Sequence, residues 1–205
     1  MVYPLLGNGQ RFKMVRTPGR SPVSSQQGFS LTELLIVSAI LGTLGSMAIM
    51  VSPSFVRRQK AEAGISQALE VIRNARETAI SQRRNVRIVF TGTNVIQTVR
   101  ENIPSGTLTL RTVELENGVR FLRITGVPDT PDHFAAAQPE AVAFGASATR
   151  AFTSEGMLID ANGDVLNGTV FFAIPDQPES ARAISIFGTT ALLRTWRWDG
   201  RAWVE

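Results

Sequence analysis

The stretch GFSLTELLIVSAILGTLGSMAIMV, residues 28–51, decides how the rest of the chain is read. From Leu34 to Val51 it runs 18 residues without a charge, the lower limit for a helix that spans a bilayer. Glu33 stands at the head of that run. A carboxylate facing hydrocarbon costs on the order of 2.5–3.5 kcal/mol at a helix centre and less at its edge, so Glu33 needs a partner.

Working outward, the segment before the run carries Arg11, Lys13, Arg16 and Arg20 and no acid. The chain's 21 basic residues less these four leave 17 against 17 acidic ones, so the net charge of +4 and the pI of about 10.6 belong to this segment. Positive charge there sets orientation, with the leader side cytoplasmic and the C-terminal bulk outside. A secretory signal would place a small-residue cleavage site after its apolar region. Here the helical pattern continues past that region, and retention of the apolar segment is expected. Cysteine is absent, which removes a disulfide framework and a thiolate metal site. With 205 residues, 43% hydrophobic and 19% charged, the chain is long enough for one folded domain, alone or with an appendage, and its composition disfavours a largely disordered chain.

Gly28-Phe29-Ser30-Leu31-Thr32-Glu33-Leu34-Leu35 resembles the type IV prepilin cleavage and methylation motif. The resemblance implies that a prepilin peptidase cuts after Gly28, that Phe29 becomes the N-methylated terminus, and that Glu33 meets the N-terminal amine of a neighbouring subunit. An amine and a carboxylate are each costly in lipid, and pairing across a subunit contact satisfies both. It further implies a leader at 1–28, a membrane half of the helix at 29–52, a single pass through the inner membrane and a periplasmic C-terminal domain. The implied partners are other pilin or pseudopilin subunits, the peptidase and membrane lipid. A 28-residue leader is long for this class, and Met14 offers a shorter start that keeps Arg16 and Arg20.

Beyond Pro53, which is placed to kink the helix, apolar residues recur at Ala61, Ile65, Ala68, Leu69, Ile72, Ala75, Ala79 and Ile80. This is helical spacing with one buried stripe, and it extends the helix over 53–84. Lys60, Gln67, Glu70, Arg73, Asn74, Glu77 and Gln82 fall on the other face, with Arg73 and Glu77 at the spacing of a surface pair. A continuous helix from Phe29 to Gln82 would be about 80 Å long. From Asn85 the period changes to two, in segments 86–90, 94–100, 107–115, 119–125, 168–174, 182–187 and 192–198. Asn117-Gly118, Asn162-Gly163 and Asp199-Gly200 signal tight turns, and Gly126 to Pro139 reads as a loop. The fold class is therefore α+β, a long N-terminal helix packed on antiparallel sheet over 85–205. A two-residue turn at Asp199-Gly200 would set Trp196 opposite Trp203.

The arrangement of ARETAISQRRNVRIVF (75–90), Phe152-Thr153-Ser154-Glu155-Gly156 and a terminal hairpin resembles the GspH/FimT family of minor pseudopilins. It implies a subunit that initiates or caps the pseudopilus of a type II secretion system, or a minor pilin of a type IV pilus. Some members of that family take up DNA through an arginine-bearing C-terminal segment. Here only Arg197 and Arg201 offer such contacts, Ala202 and Trp203 follow, and nucleic acid is not expected as a partner.

The remaining constellations read as structure. Asp160-Ala161-Asn162-Gly163-Asp164 opens like a calcium loop but lacks the later bidentate glutamate, so a hairpin turn is expected. Arg73, Arg76, Arg83, Arg84 and Arg87 gather around a helix end, where cations complement the dipole. His133 reads as a solvated loop residue rather than a ligand. No nucleophile elbow, HExxH or phosphate-binding glycine loop occurs, so neither a catalytic residue, a metal nor a cofactor is expected.

Overall fold

The computed structural model describes residues 29–48, 53–136 and 138–205. The chain divides into two compact units, Met1–Met50 and Val51–Glu205. The first contributes helix α1, Leu31–Ala48. The expected leader 1–28 lies outside the described residues. So do residues 49–52, on which continuity with the following helix turns. Among the described residues no helix is long and apolar enough to cross a membrane. The charge-free run to Val51 extends past the end of α1.

In the second unit, α2 spans Pro53–Gln82. Ala61, Ile65, Ala68, Ile72, Ala75 and Ala79 are buried, as the spacing predicts. Val71 joins them unforeseen, while of the other residues counted on the stripe Leu69 is half-buried and Ile80 is 43% exposed. Gly64 lets the helix approach closely, since a Cβ there would stand 2.7 Å from Val119 Cγ2. The helix closes with Arg83 N–H donating to the Ile80 carbonyl (3.3 Å) and Arg84 N–H to that of Ala79 (3.2 Å), with Arg83 at φ 50. That pair of bonds is a Schellman closure made without glycine.

The strands are β1 Val86–Thr91, β2 Val95–Glu101, β3 Thr107–Glu114, β4 Arg120–Phe121, β5 Val142–Ala143, β6 Ala151–Phe152, β7 Leu158–Ile159, β8 Gly168–Ala173, β9 Arg182–Phe187, β10 Leu192–Trp198 and β11 Trp203–Val204. Among the described residues they form two sheets, ordered β3-β2-β1-β6-β7 and β11-β10-β9-β8-β4, with β5 also pairing β8. Every pairing is antiparallel. The main core joins the α2 stripe to Val86, Ile88, Ile96, Phe152, Val170, Phe172, Ile184 and Ile186, drawn from both sheets. The α+β class therefore stands.

Three local expectations change. The segment 119–125 is strand only at β4, and Asn117-Gly118 (φ 60 and 75) carries the chain from β3 in one sheet to β4 in the other rather than closing a hairpin. At the C-terminus Trp198, not Trp196, lies opposite Trp203. Asp199 accepts from the N–H groups of Arg201 and Ala202, both at 2.7 Å, and this widens the loop to residues 199–202. The two rings meet edge to face at 5.5 Å. Finally, β8 is buried along its whole length, although alternation foretells one wet face.

The loop 126–139 covers that second face. Trp203 Nε1 donates to the Pro128 carbonyl (3.0 Å), and Thr130 is wholly buried beside Ser185. Asp132, its carboxylate almost fully buried, accepts from Arg194 at 2.9 Å and from Trp196 Nε1 at 3.1 Å. A second apolar cluster of Ala135, Ala143, Phe171, Ala183 and Trp196 fills the space beneath.

Candidate assembly and processing site

Ser30 starts α1: its carbonyl accepts from the N–H groups of Glu33 (2.9 Å) and Leu34 (3.1 Å). Phe29, at the head, is 76% exposed. Leu31, Leu34, Leu35, Ile36, Val37, Ile40, Leu41 and Leu44 are all exposed as well, and together they surround the helix. The polar side chains on this surface turn inward. Ser38 Oγ donates to the Leu35 carbonyl (3.0 Å) and Thr43 Oγ1 to that of Ile40 (2.8 Å), so their hydroxyls ask little of the surroundings. A helix apolar on every side is completed by lipid or by other chains.

Glu33 is the exception in this surface. It occupies the first turn, where negative charge suits the helix dipole. Among the described residues its carboxylate accepts no hydrogen bond and forms no ion pair. The group that would satisfy it must come from outside the described chain.

Residues 23–49 match the prokaryotic N-terminal methylation motif. The match supports a type IV pilin-like protein, membrane-anchored, processed by prepilin peptidase and assembled with other pilin subunits. Gly28 lies outside the described residues, while Phe29 and Glu33 stand together at the head of α1, inside the matched region. No curated protein and no solved structure matches this chain.

The other candidate residues are scattered over the globular unit. Arg197 and Arg201 are exposed, one on β10 and one in the loop before β11. In the helix-end cluster, Arg76 Nε donates to the Gly156 carbonyl (3.2 Å) and Arg87 pairs with Glu101 (3.1 Å), while Arg73, Arg83 and Arg84 are exposed. Arg73 does not pair with Glu77. The helix's acids reach instead to the sheets, Glu70 to Arg111 (2.9 Å) and Glu62 to Arg182 (3.3 Å). The Asp160 carboxylate is occupied by its own loop, accepting from Asn162 N–H (2.8 Å) and Asp164 N–H (3.0 Å), and Gly163 takes φ 90. That is the expected turn. His133 is exposed with φ 57. Among the described residues no three His, Cys, Asp or Glu side chains gather as a metal site.

Sequence reading missed two buried polar groups, Arg182 and Asp132. Burial pulls the Arg182 guanidinium below its ordinary value, and Glu62 pulls it back up. Arg182 also donates to the carbonyls of Glu179 and Ala181, which ties β9 to the 3-10 helix Pro178–Ser180. Nothing in the local pattern announced either group, since an arginine opening a strand and an aspartate in a loop are ordinarily solvated.

Proposed function

We propose that this pilin-like chain is a minor pseudopilin of a type II secretion system, a structural subunit that helps initiate or cap the pseudopilus. Its work is assembly rather than catalysis. In this reading α1 and the residues after it pass once through the inner membrane, and the β-rich unit stands in the periplasm. The observation that carries it is the unpartnered Glu33 carboxylate at the head of a helix apolar on all sides, within the matched methylation motif. Cleavage after Gly28 frees an amine four residues from Glu33. In a filament each subunit's amine meets a neighbour's carboxylate, and neither charge is left bare in lipid. The GspH/FimT resemblance at the end of α2 and at the terminal hairpin fits a minor pilin of a type IV pilus as well, and that is the alternative reading.

Mass spectrometry of the cellular protein tests the processing step. An N-methylated Phe29 is the expected terminus, and a chain retaining residues before Gly28 would sink the reading. Glu33→Ala should leave membrane insertion intact while removing co-purification with the other pseudopilins. Undiminished co-purification would break the amine–carboxylate account.

A further inference from the structure

We propose that the groove between α2 and the turn joining β9 to β10 is a docking site for an extended peptide segment of another protein, one carrying a carboxylate between apolar side chains. The groove encloses about 500 Å³, a size that accepts two or three side chains. Ile72 and Phe152, both fully buried, form its floor, and Ala191 to Leu193 form one wall. Arg73 and Arg76 line the opposite side.

Of the large apolar side chains exposed on the globular unit, Leu192 lines the groove and Val165 and Ile80 lie near its ends, while others such as Ile103 and Leu108 are exposed elsewhere. Leu192 is 50% exposed, Val165 49% and Ile80 43%. Val165 packs at Gly188 in the same turn, and Ile80 packs with Arg76 against Gly156. Ala191 holds φ 50 while 4% exposed, a conformation that costs a residue with a Cβ and that the packed turn enforces.

Charge selects the occupant. Neither Arg73 nor Arg76 forms an ion pair among the described residues, and Arg76 spends only its Nε, on the Gly156 carbonyl, leaving its terminal nitrogens for a ligand. Glu77 is the single acid in the lining, so the groove is net positive above an apolar floor. A carboxylate set beside leucine-sized groups satisfies both features at once. A nucleic-acid backbone would need an unbroken basic track, which Glu77 interrupts.

The test uses the full chain in detergent micelles and fluorescence anisotropy of fluorescein-labelled Gly-Leu-Asp-Leu-Gly, with Gly-Leu-Asn-Leu-Gly, Gly-Ser-Asp-Ser-Gly and empty micelles as controls. Saturable binding of the first peptide alone is expected. Arg73→Glu and Leu192→Asp, both at exposed positions, should each weaken it tenfold or more at unchanged thermal stability, while Arg197→Glu leaves it as it was. Equal binding of the three peptides, no binding, or indifference to Arg73→Glu overturns the proposal. So does a preference of the groove for a DNA duplex or for anionic lipid over the peptide. Glu33→Ala should bind as the parent does, so this site and the assembly reading fail separately.

Discussion

In α1 every large apolar side chain from Leu31 to Leu44 is exposed, whereas in α2 Ala61, Ile65, Ala68, Val71, Ile72, Ala75 and Ala79 are buried with the opposite face wet. Both segments are helical, but they answer different solvents. The first has no face to hide because its apolar residues go all the way round, and the second has one stripe cut to fit two sheets. The difference teaches that the same residue type reports on assembly in one helix and on folding in the other. An isoleucine in α1 waits for lipid or a neighbour, while an isoleucine in α2 already has its partners.

A matched pair of substitutions tests this contrast most severely. Ile72→Ala, at a fully buried position in α2, should cost about 2–5 kcal/mol in denaturant unfolding of the globular unit. Ile40→Ala, at a 53% exposed position in α1, should stay within about 0.5 kcal/mol in the same measurement. Equal losses would erase the distinction between the helices. A smaller effect lies at the end of α2, where Arg83 holds the left-handed position of the closing turn. Arg83→Gly relieves a left-handed cost of roughly 1–2 kcal/mol and gives back about 0.4–1 kcal/mol in unfolded-chain entropy, so stability should rise by up to about 1 kcal/mol, seen as a higher midpoint at unchanged slope.

The smallest effect is in the last hairpin. The Asp199 carboxyl is held below its ordinary value by the N–H of Ala202 and then that of Arg201. A depressed carboxyl stabilises the fold above the unfolded value, about 4, and that contribution disappears as pH falls through the lower folded value. Acidification below about 4 should therefore loosen the contact of Trp198 with Trp203, read as a change in tryptophan fluorescence. Asp199→Asn should flatten that part of the profile, and an unchanged profile would remove Asp199 from the hairpin's account.

Much of the fold was legible where a period was long enough to read. The α2 stripe and the strands β1, β2, β3, β8, β9 and β10 fall within a residue or so of the segments their patterns mark. The two-residue strands β5, β6 and β7 carry no period at all, and only their neighbours make them strands. Asn117-Gly118 supplied the right dihedral angles but not the destination, because a turn signal says that the chain bends and not which sheet it enters next. The candidate site was more legible than the fold, since Phe29 and Glu33 hold positions in a short linear motif, within the matched residues 23–49, that can be read without the fold. The groove beside Arg73 was not legible. Its arginines are close in sequence, but Phe152 and Leu192 reach them only through the fold.

The sequence by itself determined the apolar run after Glu33, the motif around Gly28, the period of α2 and the alternation of the main strands, because each is a local pattern in which neighbours along the chain set the physics. Tertiary structure alone decided the two-sheet order, the covering of β8 on both faces by the loop 126–139, and the buried Arg182 and Asp132 with their partners. Those depend on which distant groups meet. Arg182 finds Glu62 across 120 positions of chain, and a burial that expensive is tolerated only where the whole fold supplies the partner.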